Sequence, residues 1–249
     1  MINIHETLAQ MRQLRLTGMA DRYHLLTELA NQHDQPDAHT MLAMLVEAEL
    51  LARTQKRTDL YIKLARFRYQ VNAEEFNCSA ERGLDKGLWM LLCEGSFVRQ
   101  CKNILIDGAT GSGKSHLVCA LGRRICLNGQ RTIYHNMNRF IEEIKAAKLD
   151  GTYLKLLDQY AKVPLLILDD FGLKPMDSEV RICLYEVLED RIGKGSTIIT
   201  SQFPVANWYS KFEDVTLGEA ILDRLTGYAE RITLKGASWR NKRSKGCNP

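Results

Sequence analysis

Gly108-Ala109-Thr110-Gly111-Ser112-Gly113-Lys114-Ser115 fills every defining position of the G-x-x-x-x-G-K-[ST] phosphate loop. The run Asn103-Ile104-Leu105-Ile106-Asp107 before it is apolar and strand-like, and the segment from His116 to Cys126 after it reads as a helix. Strand, glycine loop and helix stand in the order that binds a nucleoside triphosphate. Gly108, Ala109, Thr110, Gly111, Ser112 and Gly113 turn backbone N–H groups toward the phosphates, with His116 in the helix turn beside them. Lys114 is placed to reach the β and γ oxygens, and the Ser115 hydroxyl to ligate Mg²⁺.

Working outward, apolar runs alternate with helical patterns. Strands are expected at 104–106, 132–134, 165–168, 197–200 and 231–234, with helices near 115–127, 137–148, 179–192 and 218–228. This is an α/β series with a mostly parallel sheet, and such sheets bind ligands beyond the carboxyl ends of their strands. Leu165-Leu166-Ile167-Leu168-Asp169-Asp170 is a buried-strand run ending in two carboxylates, the Walker B arrangement. Asp169 is expected to hold the metal through water and Asp170 to orient or deprotonate the attacking water. Asp170-Phe171-Gly172 also spells the kinase D-F-G triplet, but the V-A-I-K lysine and the H-R-D catalytic loop are missing from the chain. Ser201 and Gln202 follow the fourth strand, where a polar group can position water near the γ-phosphate. Arg224, late in the domain, carries the guanidinium that stabilises a transferring phosphoryl, with Arg191 a weaker candidate.

Before the nucleotide region the pattern is helical. Leu8, Met11 and Leu14 mark one amphipathic helix and Tyr23, Leu26 and Leu29 a second, with a break at Thr17-Gly18. Pro36-Asp37 opens a long helix toward Leu64 in which Glu49 and Arg53 pair. The expected division is a helical N-terminal domain over 1–70, a linker over 71–98 interrupted by Gly83, Gly87 and Gly95, an ATPase domain over 99–240, and a basic tail over 241–249.

The chain has 249 residues, a formal net charge of +4 and seven cysteines with no C-x-x-C spacing. Neither a disulfide framework nor a zinc site is indicated. The apolar runs are too short to cross a bilayer and the N-terminus lacks a signal-type apolar stretch, so no membrane partner is expected and the expected compartment is the cytoplasm. Basic residues gather at Arg53, Lys56, Arg57, Lys63, Arg66 and Arg68, opposed only by Asp59, and again at Lys235, Arg240, Lys242, Arg243 and Lys245. Either cluster suits nucleic-acid phosphates or a solvated surface.

Together these residues resemble the AAA+ ATPases, and more narrowly the branch that holds the helicase loader DnaC and the insertion-sequence helper IstB. The resemblance covers about residues 1–240 and rests on Leu14-Arg15-Leu16-Thr17-Gly18-Met19, Gly108 to Ser115, Leu166 to Gly172, Thr200-Ser201-Gln202, Asp223-Arg224-Leu225 and Arg231 to Leu234. It implies a P-loop AAA+ domain behind a small all-α domain, with Lys114 and Ser115 as Walker A, Asp169 and Asp170 as Walker B, Ser201 or Gln202 as sensor 1, and Arg224 as arginine finger. Asp170 stands where Asp-Glu is usual, which implies slow turnover. The chain beyond Arg224 is too short for a C-terminal lid domain, and neither Arg231 nor Arg240 is assigned as a substitute for the lid's arginine. The resemblance further implies ATP and Mg²⁺ as cofactors, a homo-oligomer with ATP at subunit interfaces, sequence-nonspecific binding of double-stranded DNA, and a transposase of the same element as partner. No N-K-x-D guanine-reading motif is present, which agrees with adenine. A DnaC-like helicase loader is the alternative, and an ATP-gated scaffold with little turnover a third.

Overall fold

In the computed structural model, which describes residues 3–28, 36–212 and 214–236, the chain separates into two units between Leu60 and Tyr61. The first unit contains α1 (Ile4–Gln13), α2 (Thr17–Glu28) and most of α3 (Ala38–Ala65). α1 ends as Arg15 takes a left-handed backbone, φ 61°. The break therefore falls at 14–16, and Thr17-Gly18, read as the break, form the first turn of α2. Leu29 lies outside the described residues. Gly18 is pressed against α3, where an added Cβ would stand 2.5 Å from the Ala48 carbonyl oxygen. That approach lets the buried Glu49 carboxylate accept from the N–H groups of Gly18 at 2.8 Å and Met19 at 3.2 Å. Arg53 donates to the same carboxylate at 2.8 Å, as the i,i+4 spacing predicts. Asp37 caps α3 by accepting from the N–H groups of His39 and Thr40.

The second unit is a five-stranded, wholly parallel sheet with helices on both faces. Its strands are β1 (Asn103–Gly108), β2 (Thr132–Asn136), β3 (Leu165–Phe171), β4 (Ser196–Ser201) and β5 (Ala229–Leu234), in the order β2-β3-β4-β1-β5. The helices are α4 (Lys86–Glu94), α5 (Ser96–Arg99), α6 (Lys114–Leu127), α7 (Met137–Leu149), α8 (Tyr153–Lys162), α9 (Ser178–Arg191) and α10 (Val215–Thr226). The strands are apolar on both faces because both faces are covered. Ile104, Ile106, Ile167 and Ile198 pack with α4 to α6, whereas Leu105, Leu166, Leu168 and Ile199 pack with α7 to α10.

All five expected strands are present. The expected helices are present too, and α4, α5 and α8 add helices that the reading does not anticipate, although Tyr153, Leu156, Leu157 and Tyr160 of α8 have helical spacing. Residues 71–98 differ from the reading as a linker: Ala73, Leu84, Trp89, Leu92, Phe97 and Val98 belong to the core beside α6. Their glycines mark boundaries rather than looseness. Gly83 (φ 80°) closes a short 3-10 turn and Gly95 (φ 74°) ends α4, positions where a left-handed backbone satisfies the last carbonyls. Among the described residues no helix is long and apolar enough to cross a membrane.

Candidate nucleotide site

β1 delivers its last residue, Gly108, to the carboxyl edge of the sheet, and α6 starts at Lys114 with Gly113 (φ 97°) as its cap. A side chain at Gly108 would stand 2.3 Å from the Leu234 carbonyl oxygen, so glycine is what lets the loop pass β5. No side chain caps α6, which leaves its N-terminal N–H groups and dipole for an anion. The buried Ser112 hydroxyl also has no hydrogen-bond partner among the described residues. Lys114, 5 % exposed, donates to the carbonyls of Gly108 at 2.7 Å and Ala109 at 3.0 Å. Burial lowers its pKa, while Asp170, Asp169 and Asp107 work in the opposite direction. Arg82 braces the loop from the segment before α4, donating to the Ser112 carbonyl at 2.8 Å. These features fit a phosphate chain: uncapped N–H donors and a lysine are gathered at one loop.

Thr110, Gly111, Gly113, Lys114, Ser115 and His116 line one cleft with Asp170 and Gln202, together with Arg68 and Tyr69. The expected loop residues thus meet Asp170 and Gln202 in one place. Gln202 is held there by Thr110, whose hydroxyl donates to Oε1 at 2.6 Å.

Ser201 is a correction. Its buried hydroxyl donates to the Phe171 carbonyl at 2.9 Å and accepts from the Phe203 N–H at 3.1 Å, so it joins β4 to the end of β3 and does not face the cleft. The β4 residue that reaches the acidic pair is Thr200. Its hydroxyl donates to Asp169 Oδ1 and accepts from the Asp170 N–H. Tyr134 donates to Asp169 Oδ2 at 2.8 Å, so the fully buried Asp169 carries a hydroxyl on each oxygen. Burial, with the charge of Asp169, pushes the Tyr134 pKa up and keeps it a donor.

Asp170 faces the cleft. A register shift between Leu168 and Phe171 turns the chain there, and Asp170 takes φ 64°, a backbone that Asp and Asn tolerate better than other side chains. Asn136 donates to its Oδ2 at 2.8 Å. Burial and the neighbouring Asp169 raise the Asp170 pKa, against Arg68 and Lys114. A carboxyl shifted that way is a stronger base than an ordinary aspartate.

No group of three His, Cys, Asp or Glu residues among those described could hold a metal alone. Mg²⁺ characteristically binds through substrate phosphates with one or two protein oxygens. Ser115 in the cleft supplies such an oxygen, and Asp169 one turned inward from it.

Arg224 lies elsewhere. Its backbone carbonyl accepts from the Asn103 side chain at the start of β1, roughly 16 Å by strand rise from Gly108 at the other end. Glu189, the Ala220 carbonyl (2.9 Å) and the Tyr185 hydroxyl (3.0 Å) hold its guanidinium. It cannot serve the loop of its own chain. Arg191 is a correction as well: it is 2 % exposed and bound to carbonyls, with no path to a nucleotide.

A family model described as "IstB-like ATP binding protein" matches residues 9–247. The chain belongs to this family. An insertion-sequence ATP-binding protein of Sinorhizobium fredii is 39% identical over 97% of this chain and 98% of its own length. The IS1162 ATP-binding protein of Pseudomonas fluorescens is 38% identical over 80% of this chain and 86% of its own. In fold, this IstB-like chain is similar to the DnaC helicase loader, with TM-score 0.55 and 21% identity over 66% of this chain and 96% of that one. It is also similar to AMPPCP-bound DnaA of Aquifex aeolicus, with TM-score 0.60 and 19% identity over 74% of this chain and 57% of that one. The fold is that of an AAA+ P-loop domain.

Proposed function

We propose that this IstB-like protein is an ATPase that assembles with ATP on double-stranded DNA, without sequence preference, and assists the transposase of an insertion sequence. The observation that carries the reading is the convergence of Lys114, Ser115 and Asp170 in one cleft, in a chain similar over nearly its whole length to insertion-sequence ATP-binding proteins.

In the reaction, a water oxygen bonds to the γ-phosphorus as the bridging oxygen bond breaks, and ADP departs with the bridging oxygen. Asp170 accepts the water's proton. Lys114 moves from the Gly108 and Ala109 carbonyls to the β and γ oxygens, exchanging neutral acceptors for charged ones. Gln202, fixed by Thr110, orients the water. Mg²⁺ would supply charge neutralisation between the phosphates, held by Ser115 and, through water, Asp169. Arg224 acts on a neighbouring subunit's nucleotide once it leaves Glu189. Phosphate contacts from Arg57, Lys63 and other exposed cations supply the sequence-independent affinity for DNA.

Sedimentation with a random-sequence duplex, with and without ATP, tests the reading. Large complexes that need ATP and resist a single-stranded competitor are expected. Binding to the single strand alone would move the assignment to a DnaC-like loader. In the same assembly, Arg224→Ala should leave nucleotide affinity within about twofold and lower hydrolysis on the order of a thousandfold. Equal hydrolysis by the two proteins would remove Arg224 from the reaction.

The shorter Walker B carboxylate carries its own prediction. A β-carbon side chain longer than aspartate fits poorly at φ 64°, so Asp170→Glu should destabilise the fold by about 1 kcal/mol and slow phosphate release instead of restoring it. A glutamate variant with faster release and an unchanged melting temperature would contradict this.

A further inference from the structure

By charge alone Arg68 belongs to the basic cluster suited to nucleic acid, yet it lines the cleft with the phosphate loop and Asp170. Its placement is built from both sides. Arg66 (φ 53°) breaks the chain away from α3, and Phe67 then seats in a notch on α6 made by Gly122, where an added Cβ would stand 2.6 Å from the Phe67 ring. On the other side Tyr69 stacks on His116, ring centroids 3.9 Å apart and planes 19° from parallel. Phe67 and Tyr69 therefore grip α6 at both ends of a three-residue span, and Arg68 between them reaches Asp170. Its Nη1 is 3.5 Å from Asp170 Oδ2, a long contact at the limit of an ion pair. Asp170 has the Asn136 amide at 2.8 Å as a second partner, so it is not left bare if the arginine departs.

We infer that Arg68 reads the γ-phosphate of the nucleotide bound in its own chain, resting on Asp170 when the site lacks a triphosphate and leaving that carboxylate for the terminal phosphate when one binds. The inference rests on the nucleotide reading above and adds a regulation to it: a triphosphate, unlike a diphosphate, frees Asp170 for the water. A terminal phosphate carries more charge than one carboxylate and accepts from a guanidinium in bidentate geometry, so the exchange runs toward the nucleotide. An ADP molecule in the same loop ends one phosphate short and leaves the arginine on Asp170. The role is positional and selective, and it falls to a residue ahead of the loop.

The test is titration of the full-length protein, with Mg²⁺, by fluorescent ADP and by a fluorescent β,γ-methylene triphosphate analogue. Arg68→Ala and Arg68→Gln should each weaken the triphosphate about tenfold and change ADP by less than twofold, so the ratio of the two affinities collapses. Arg68→Lys should recover only part of the ratio, because a point charge replaces a planar fork. Asp170→Asn should tighten the triphosphate when Arg68 is present and not when it is alanine. An unchanged ratio in both Arg68→Ala and Arg68→Gln, alongside lost binding in Lys114→Ala, would overturn the inference and leave the nucleotide site standing. Arg68→Ala that instead lowers the salt dependence of duplex binding, with the ratio intact, would return Arg68 to the DNA surface. A wild-type protein that binds neither nucleotide would overturn the nucleotide reading itself and the inference with it.

Discussion

Arg191→Met is expected to lower the stability of the nucleotide unit by about 3 kcal/mol, the largest effect on folding of any single change considered. The guanidinium donates to the carbonyls of Tyr160 at 2.6 Å and Val163 at 2.7 Å, to those of Pro164 and Ser196, and to the Thr197 hydroxyl at 3.0 Å. It thereby ties the end of α8 and the turn before β3 to the start of β4. Burial brings its pKa down to about 10, which says that the charge is disfavoured there and that hydrogen bonding is what the arginine contributes. Methionine relieves the charge, yet it leaves the carbonyls of Tyr160, Val163 and Ser196 without their buried donor. Thermal unfolding should move down by roughly 10 °C. A variant that melts with the wild type would show that those carbonyls find other partners.

Lys114→Ala should have the largest effect on ligand binding, a loss of triphosphate affinity of at least about a hundredfold, or roughly 3 kcal/mol. The ammonium lies inside the loop, bound to the carbonyls of Gly108 and Ala109, so little side-chain ordering opposes its transfer to phosphate. Those carbonyls lie beside a cleft and can take water when the lysine is removed. Nucleotide-free stability should therefore change little. Calorimetric titration with the β,γ-methylene analogue, paired with a melting curve, separates the two quantities. Wild-type affinity in the variant would refute the phosphate role of Lys114, and a collapsed melting curve would refute the claim that the loop is preformed.

What was legible in the sequence was what is local. The phosphate loop and the acidic end of β3 are contiguous, and their chemistry is written in residues next to each other. Thr200 escaped because its role depends on the register of β3 against β4 and on the irregularity between Leu168 and Phe171, which bring the Thr200 hydroxyl to Asp169 and to the Asp170 N–H. Ser201, one position on, is equally polar, but its hydroxyl faces inward to the Phe171 carbonyl. Arg68 was counted by charge with its neighbours, since nothing in the spacing of basic residues says which of them a helix end will turn aside. Residues 71–98 read as a linker because glycines interrupt their pattern, whereas Gly83 and Gly95 are the stops of short elements whose apolar residues complete the core.

The notch at Gly122 has a consequence for how such chains can drift. The missing side chain is filled by the Phe67 ring on one side and by Ile167 of β3 on the other, so positions 67 and 122 form one unit of shape. An alanine at 122 is affordable only after the ring at 67 has shrunk, and a smaller residue at 67 leaves the neighbouring arginine without its anchor. A substitution more than fifty positions away in the chain would then be felt as altered nucleotide preference, although it touches no phosphate. Between relatives of this protein, these two sites should change together or not at all.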